Sequence, residues 1–230
     1  MGAASSQPAG AGRGRRRRPC SGSCCGGLAL FRSNFFQSCI GEKDYWDAAY
    51  AAGRYRDSYE WLQTTNELWP YIERALEGSS CSKVLHVGCG NSDLGRIVTL
   101  AGHKVVNVDY SGVVIESMRQ KHPEQEWLQA DCAEAGALGS EGVYDLCIDK
   151  GGIDALIESY TDRMLQRARA MVVEIHRVLR PGGRYLLFSN GSQHRKEMLD
   201  ACFQRVEAEY CEGYSMDLYR KLVFVYISHK

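Results

Sequence analysis

The stretch Val84-Leu85-His86-Val87-Gly88-Cys89-Gly90-Asn91 constrains this chain more than any other. A short apolar strand runs into a Gly-x-Gly turn, where glycine permits a tight turn and brings backbone N–H groups close to a ligand. Three further runs end on acids: Val108-Asp109-Tyr110, Ala130-Asp131-Cys132 and Cys147-Ile148-Asp149-Lys150-Gly151. Apolar runs of this kind, alternating with helical patterns, read as parallel strands whose carboxyl ends line one crevice, which is where open α/β sheets bind ligands. Asp109 stands at about the 20-residue spacing of a ribose-binding acid, and a carboxylate there can accept hydrogen bonds from both ribose hydroxyls. Asp131, closing the next strand, suits the exocyclic amine of adenine. The third glycine of a dinucleotide fingerprint is absent, because Asp93 and Leu94 stand where it would sit. The crevice is therefore expected to hold a nucleoside-bearing ligand rather than a dinucleotide.

The remaining pattern extends this layout. Amphipathic helices are predicted over 44–54 and 60–77, and strands over 83–87, 104–108, 126–130, 143–148 and 184–189. A helix from about residue 91 stops at Ala101-Gly102, with glycine as its C-terminal cap, and Ser111 caps the next helix. A long helix over 162–179 is halted by Arg180-Pro181-Gly182-Gly183. Residues 206–211 and 221–228 read as a closing antiparallel pair. The expected fold is α/β: a doubly wound, mostly parallel seven-strand sheet with an antiparallel C-terminal hairpin, Rossmann-like in layout. Residues 42–230 are expected to form this one domain, and residues 1–41 a disordered or targeting tail.

Charge is unevenly spread. The tail holds six arginines (Arg13, Arg15, Arg16, Arg17, Arg18 and Arg32) and no acid, so residues 42–230 carry 22 of the 28 basic residues against all 28 acidic ones. An acidic body is poorly matched to nucleic acid and better matched to a basic protein partner. The ten cysteines are scattered and follow no secretory h-region, which points to reduced thiols. Cys20, Cys24 and Cys25 lack histidine partners and paired spacing, so no metal is expected. His86 alternates with Leu85 and Val87 and reads as a satisfied strand histidine.

Taken together, Gly88-Cys89-Gly90-Asn91-Ser92, Val108-Asp109-Tyr110-Ser111, Asp149-Lys150-Gly151 with Asp154-Ala155, and Arg177-Val178-Leu179-Arg180-Pro181-Gly182-Gly183 resemble a class I, seven-strand S-adenosylmethionine-dependent methyltransferase. More narrowly, they are similar to the group containing the lysine methyltransferases of translation elongation factor 1-alpha and of citrate synthase. Tyr45-Trp46-Asp47, Tyr50 and Tyr59-Glu60-Trp61 resemble the N-terminal aromatic segment of the elongation-factor members, whereas Gly152 replaces the threonine usual in its segment. The resemblance implies methyl transfer from S-adenosylmethionine to a lysine side chain of a protein. It places Trp46, Tyr50 and Trp61 over the methionine end of the cofactor, whose sulfonium is attracted to aromatic faces. It places Gly88 and Gly90 at the carboxylate or ribose, Asp109 on the ribose and Tyr110 against the adenine. Asp131 and Cys132 would read the adenine edge, and Lys150 would lie beside the methionyl group. Asp149 is the candidate to touch the incoming amine, with Asp154 a weaker one whose alternative role is to cap the helix after strand four.

Two other function classes stay open on sequence: a small-molecule methyltransferase, and a non-catalytic adaptor that keeps the fold. A monomer is expected. Met1-Gly2-Ala3-Ala4-Ser5-Ser6 fits an N-myristoylation pattern, and the arginines with Cys20, Cys24 and Cys25 would add peripheral membrane contact. The same Arg-rich, acid-free tail also resembles a mitochondrial transit peptide. The cytoplasm is the expected location, with membrane anchoring and mitochondrial import as alternatives.

Overall fold

In the computed structural model, β1 (Lys83–Val87) sits at the middle of the sheet, parallel to β2 (Lys104–Asp109) on one side and to β4 (Tyr144–Lys150) on the other. β3 (Glu126–Gln129) pairs outside β2, and β5 (Leu179–Ser189) outside β4, both in parallel. β7 (Arg220–His229) then runs antiparallel between β5 and β6 (Arg205–Tyr214), giving the order β3-β2-β1-β4-β5-β7-β6. This is the expected mostly parallel seven-strand sheet with an antiparallel C-terminal hairpin, in which β7 alone runs against the other strands. The chain divides into two units, residues 1–32 and 33–230. The structure describes Gly2 and residues 40–55, 58–191, 193–214 and 220–230; the readings of the N-terminal tail lie outside these residues.

Seven helices among the described residues cover the sheet: α1 (Lys43–Ala51), α2 (Thr65–Leu76), α3 (Leu94–Leu100), α4 (Gly112–Lys121), α5 (Gly152–Leu156), α6 (Asp162–Val178) and α7 (Gln193–Asp200). Successive strand residues point to opposite faces, which builds two cores. Leu85, Val87, Val108, Cys147 and Leu187 pack on one face with Met171, Val172 and Ile175 of α6. Val84, Leu146, Ile148, Leu186 and Phe188 pack on the other with Leu68 and Ile72 of α2 and with Leu94 and Val98 of α3. Each such side chain contributes roughly 1.5–3 kcal/mol through burial.

Two departures from the sequence reading bear on the site. The second helix begins at Thr65 rather than near residue 60, because Thr64 and Glu67 form a reciprocal capping box, with the Glu67 carboxylate accepting from the Thr64 amide at 2.8 Å. Residues 58–63 are thereby left free to cross the ends of the strands. β5 begins at Leu179 rather than Arg184: α6 passes straight into it, and the Gly182 turn (φ +76°) is absorbed as an irregularity of the strand. The predicted cap at Ser111 is present, its side chain accepting from the Val114 amide at 3.4 Å.

Candidate active site

In register, Val87 lies between Val108 of β2 and Asp149 of β4. The chain therefore leaves β1 at the point where one neighbouring strand returns on one side and the other on the opposite side. Such a switch point opens a crevice at the carboxyl ends of the strands. A cavity of about 350 Å³ occupies it, within the size range of sites for small ligands and cofactors. Trp46, Tyr50, Trp61, Gly88, Gly90, Asp109, Tyr110, Asp131, Cys132 and Lys150 all line it. The ten residues that the resemblance assigned to a cofactor thus meet around one space.

The glycine turn is bare backbone for a steric reason. Gly88 (φ +57°) and Gly90 (φ +50°) are both left-handed. A Cβ on Gly90 would stand 2.8 Å from the Tyr50 hydroxyl, and one on Gly88 would stand 2.9 Å from Cα of Gly152. A residue larger than glycine at 152 would press on the same contact and on Asp149 Oδ1, which accounts for glycine at that position. Asp109 braces the turn. Its Oδ2 accepts the Gly90 amide at 3.0 Å and its Oδ1 the Ser111 amide at 2.9 Å. Burial nevertheless pushes its carboxyl up to about 6. Each oxygen keeps a further lone pair for a donor from the cavity. Asp131 accepts from Arg167 at 2.6 Å and from the Ala133 amide at 2.9 Å, so it presents an oriented, paired carboxylate.

The opposite wall is aromatic. Trp46 is buried, with ring centroids 5.9 Å from Tyr50, 5.7 Å from Tyr55 and 5.8 Å from Trp61. Its indole N–H donates to the Ile40 carbonyl at 2.6 Å. Packing and lining are therefore both roles of this cluster. Leu62, at the end of the segment, is one of two described non-glycine residues with positive φ (+66°), a strained backbone at the cavity wall.

Lys150 is no solvated loop residue. It is buried, its ammonium pairs with Glu60, and it donates to the Trp61 carbonyl at 3.1 Å. Glu60 also accepts from the Ser92 hydroxyl (2.9 and 3.0 Å) and from the Asp93 amide (3.0 Å). The Asn91 side chain meanwhile donates to the Tyr55 carbonyl at 2.9 Å. Glu60 is thus the hub that straps the aromatic segment to the glycine loop and to β4. In the sequence Tyr59 and Trp61 stand out by their rings, whereas Glu60 between them is one more charge after Arg54, Arg56 and Asp57, with nothing local to mark it.

Asp149 must be corrected. It does not line the cavity: its carboxylate is fully buried and accepts from the Gly152 amide (2.7 Å), the Ile153 amide (3.2 Å) and the Tyr185 hydroxyl (2.9 Å). Alternation along β4 explains this, since Lys150 faces the cavity and its neighbour must face away. Burial first, and the charge of Asp154, push the Asp149 carboxyl up to about 7, yet the group works as a brace for α5. Asp154 does line the cavity but does not cap α5, whose N-cap is Gly151. Instead it is ion-paired with buried Arg195 at 3.0 Å and accepts the Asn190 amide at 2.7 Å. His86 shares its Nδ1 with Asn107 Oδ1 at 3.1 Å, and burial holds it down at about 4, so it stays neutral. Among the described residues no group of three or more metal-ligating side chains occurs, and no helix is long and apolar enough to cross a membrane.

Fold and site together resemble those of class I S-adenosylmethionine-dependent methyltransferases. Residues 85–187 match the family described as "Methyltransferase domain". The chain is 31% identical over 160 residues to the human eEF1A lysine and N-terminal methyltransferase, covering 67% of this chain and 22% of that protein. It thus spans about a fifth of that relative's length. It is 29% identical over 184 residues to the mitochondrial citrate synthase-lysine N-methyltransferase CSKMT of Pongo abelii, covering 70% of this chain and 75% of that one. In fold it is similar to the Burkholderia thailandensis 1,6-didemethyltoxoflavin-N1-methyltransferase with bound S-adenosylhomocysteine, with a TM-score of 0.61 at 17% identity, covering 88% and 92% of the two chains.

Proposed function

We propose that this chain transfers a methyl group from S-adenosylmethionine to the lysine side chain of a protein such as translation elongation factor 1-alpha. The observation that carries this reading is the meeting of the glycine turn, Asp109, Asp131 and the Trp46–Tyr50–Trp61 cluster around one cavity. The relatives' lysine-methyltransferase activities support the acceptor. Gly88 and Gly90 expose backbone to the cofactor, Asp109 receives ribose hydroxyls, Tyr110 faces the adenine, and Asp131 with the Cys132 backbone reads its edge. The cofactor supplies an electrophilic methyl group on a sulfonium centre. The aromatic cluster favours that positive charge, and Lys150, by holding Glu60 and the Trp61 carbonyl, keeps the cluster closed. The protein's contribution is alignment and exclusion of water.

The test is incubation of the full chain with methyl-labelled cofactor and either cell extract or purified elongation factor 1-alpha, with the modified residue located by mass spectrometry. Label on a lysine of a discrete protein is expected. Label confined to the small-molecule fraction would sink the protein-lysine reading, and no cofactor binding in calorimetry would leave only an adaptor.

We further propose that residues 42–230 work as a monomeric domain on a basic protein face, without nucleic acid, in the cytoplasm, and that residues 1–41 serve as a tail. The mass of the mature N-terminus in native cells tests the location. An intact, unmodified terminus is expected. A myristoyl group on Gly2 would establish a membrane signal instead, and loss of roughly 30–40 residues would establish import.

A further inference from the structure

Lys150 is the only lysine or arginine among the described residues that line the cavity, whose other charged lining residues are Asp109, Asp131, Asp154 and Glu158. With His86 neutral, it is the side chain there that offers a full positive charge to an anionic part of a ligand. What fixes it stands outside. Glu60 does not line the cavity, yet both oxygens of its carboxylate are in use. Oε2 accepts from the Lys150 ammonium and from the Ser92 hydroxyl at 2.9 Å. Oε1 accepts from the same hydroxyl and from the Asp93 amide, each at 3.0 Å. Ser92 in turn accepts the Leu94 amide at 3.2 Å, at the start of α3. The Trp61 carbonyl takes a second N–H of Lys150 at 3.1 Å. An ammonium has three donors, so one is left over after these two.

Ser92 and Asp93 anchor the carboxylate, and the anchored carboxylate fixes the lysine. We propose that Glu60 is a positioning residue for the cofactor: without reaching the ligand, it holds Lys150 at the cavity wall in its ammonium form, ready for the cofactor's carboxylate. This rests on the reading of the cavity as the S-adenosylmethionine site and not on the identity of the acceptor. The physical reason is that a lysine so enclosed, its side chain 2% accessible, gives up its proton easily. Burial holds the Lys150 ammonium below the usual lysine range, and the charge and hydrogen bond of Glu60 work the other way. Two titratable groups face this ammonium. Glu60 does so from residues 58–63, and His86 does so from β1, where its own burial keeps it neutral. Once neutral, a lysine loses the charge assistance that makes its hydrogen bond to a carboxylate strong.

A double-mutant cycle in the full chain tests this, read as affinity for S-adenosylhomocysteine by calorimetry from pH ~6 to ~9. Comparing each variant with the wild type at the same pH cancels the titration of the ligand. Glu60→Gln keeps an acceptor for the Asp93 amide and removes the charge, so Lys150 loses its proton at a lower pH than in the wild type. A lysine is charged below its pKa. The deficit in affinity should therefore stay within about threefold at pH ~6 and reach about tenfold or more at pH ~9. In a Lys150→Met background, where the titrating group is gone, Glu60→Gln should change affinity by less than about twofold at any pH. Glu60→Asp keeps the charge and should show no deficit that grows with pH, and it carries the test if Glu60→Gln does not fold. Wild-type affinity of Glu60→Gln across the range overturns the proposal, as does a deficit growing with pH in Glu60→Asp. A deficit equal at every pH that persists beside Lys150→Met also overturns it, leaving Glu60 a structural tie. A wild-type chain that binds no S-adenosylhomocysteine overturns the reading of the cavity itself, whereas normal wild-type binding beside an unaffected variant overturns only the role of Glu60.

Discussion

The two halves of the cavity are built in different ways. On the β1–β3 side every lining group named here lies within three residues of a strand end: Gly88, Gly90, Asp109, Tyr110, Asp131 and Cys132. Neighbouring amides hold them, as at Asp109. On the β4–β5 side Asp154 and Asn190 again follow the strand ends, but the rest of the wall comes from far upstream: Ile40, Trp46, Tyr50, Tyr59, Trp61 and Leu62. The ion pair of Lys150 with Glu60, residues 90 apart, closes it. One half of the cavity is built by local grammar, while the other depends on long-range contacts. The first half should tolerate change outside its own turn, and the second should loosen when one distant partner is removed.

The largest expected effect is on that distant tie. Lys150→Ala should destabilise the protein by about 3 kcal/mol, because Glu60 would keep a partly buried charge without its partner. Urea denaturation measures it. Glu60→Ala combined with Lys150→Ala should cost less than the sum of the two single changes. Strict additivity would mean that the pair does not hold the aromatic segment.

Next comes Asp109. Its replacement by alanine removes charge-assisted hydrogen bonds worth roughly 1.5–3 kcal/mol each, so cofactor affinity should fall at least about tenfold while the sheet persists. Wild-type affinity in a folded variant would remove Asp109 from the cofactor site. Asp149 supplies the contrast. Tyr185→Phe should lower stability by about 1–2 kcal/mol by taking one donor from the Asp149 carboxylate. It should leave methyl transfer intact. A large loss of kcat at unchanged stability would instead return Asp149 to the chemistry.

The smallest effect is a pH dependence. Burial raises Asp109 to about 6, and ribose hydroxyls donate to its ionised form. Cofactor affinity should therefore hold above pH ~7 and fall below pH ~6 with a slope approaching tenfold per unit. Asp109→Asn should flatten the profile. A wild-type affinity constant from pH ~5 to ~8 would show that the group does not titrate in the ligand-free protein.

This contrast also marks what the sequence made legible. Strand cores, the glycine turn and the Ser111 cap follow from local rules, and the mostly parallel sheet with an antiparallel C-terminal hairpin followed from alternation, whereas the insertion of β7 between β5 and β6 did not. Asp149 was misassigned because strand polarity is a matter of one residue. A parity step separates Lys150, which faces the cavity, from Asp149, which braces α5. Glu60 was invisible as a site residue for another reason. Its role depends on what stands opposite it in space, and Lys150 is 90 residues away in sequence. The start of the second helix was missed because the capping box at Thr64 and Glu67 outweighed the amphipathic pattern that continues upstream.

The interior place of β7 has a consequence for how the molecule comes together in time. β6 is synthesised before β7 yet touches no other strand, so it has nothing to pair with until residues 220–229 thread between it and β5. Until then both flanks of that gap are open edges, able to recruit a strand from another molecule. A lesion in β7 would accordingly release two strands from the sheet and uncover β5. The nascent chain is most exposed to misassociation in the interval before its last strand arrives.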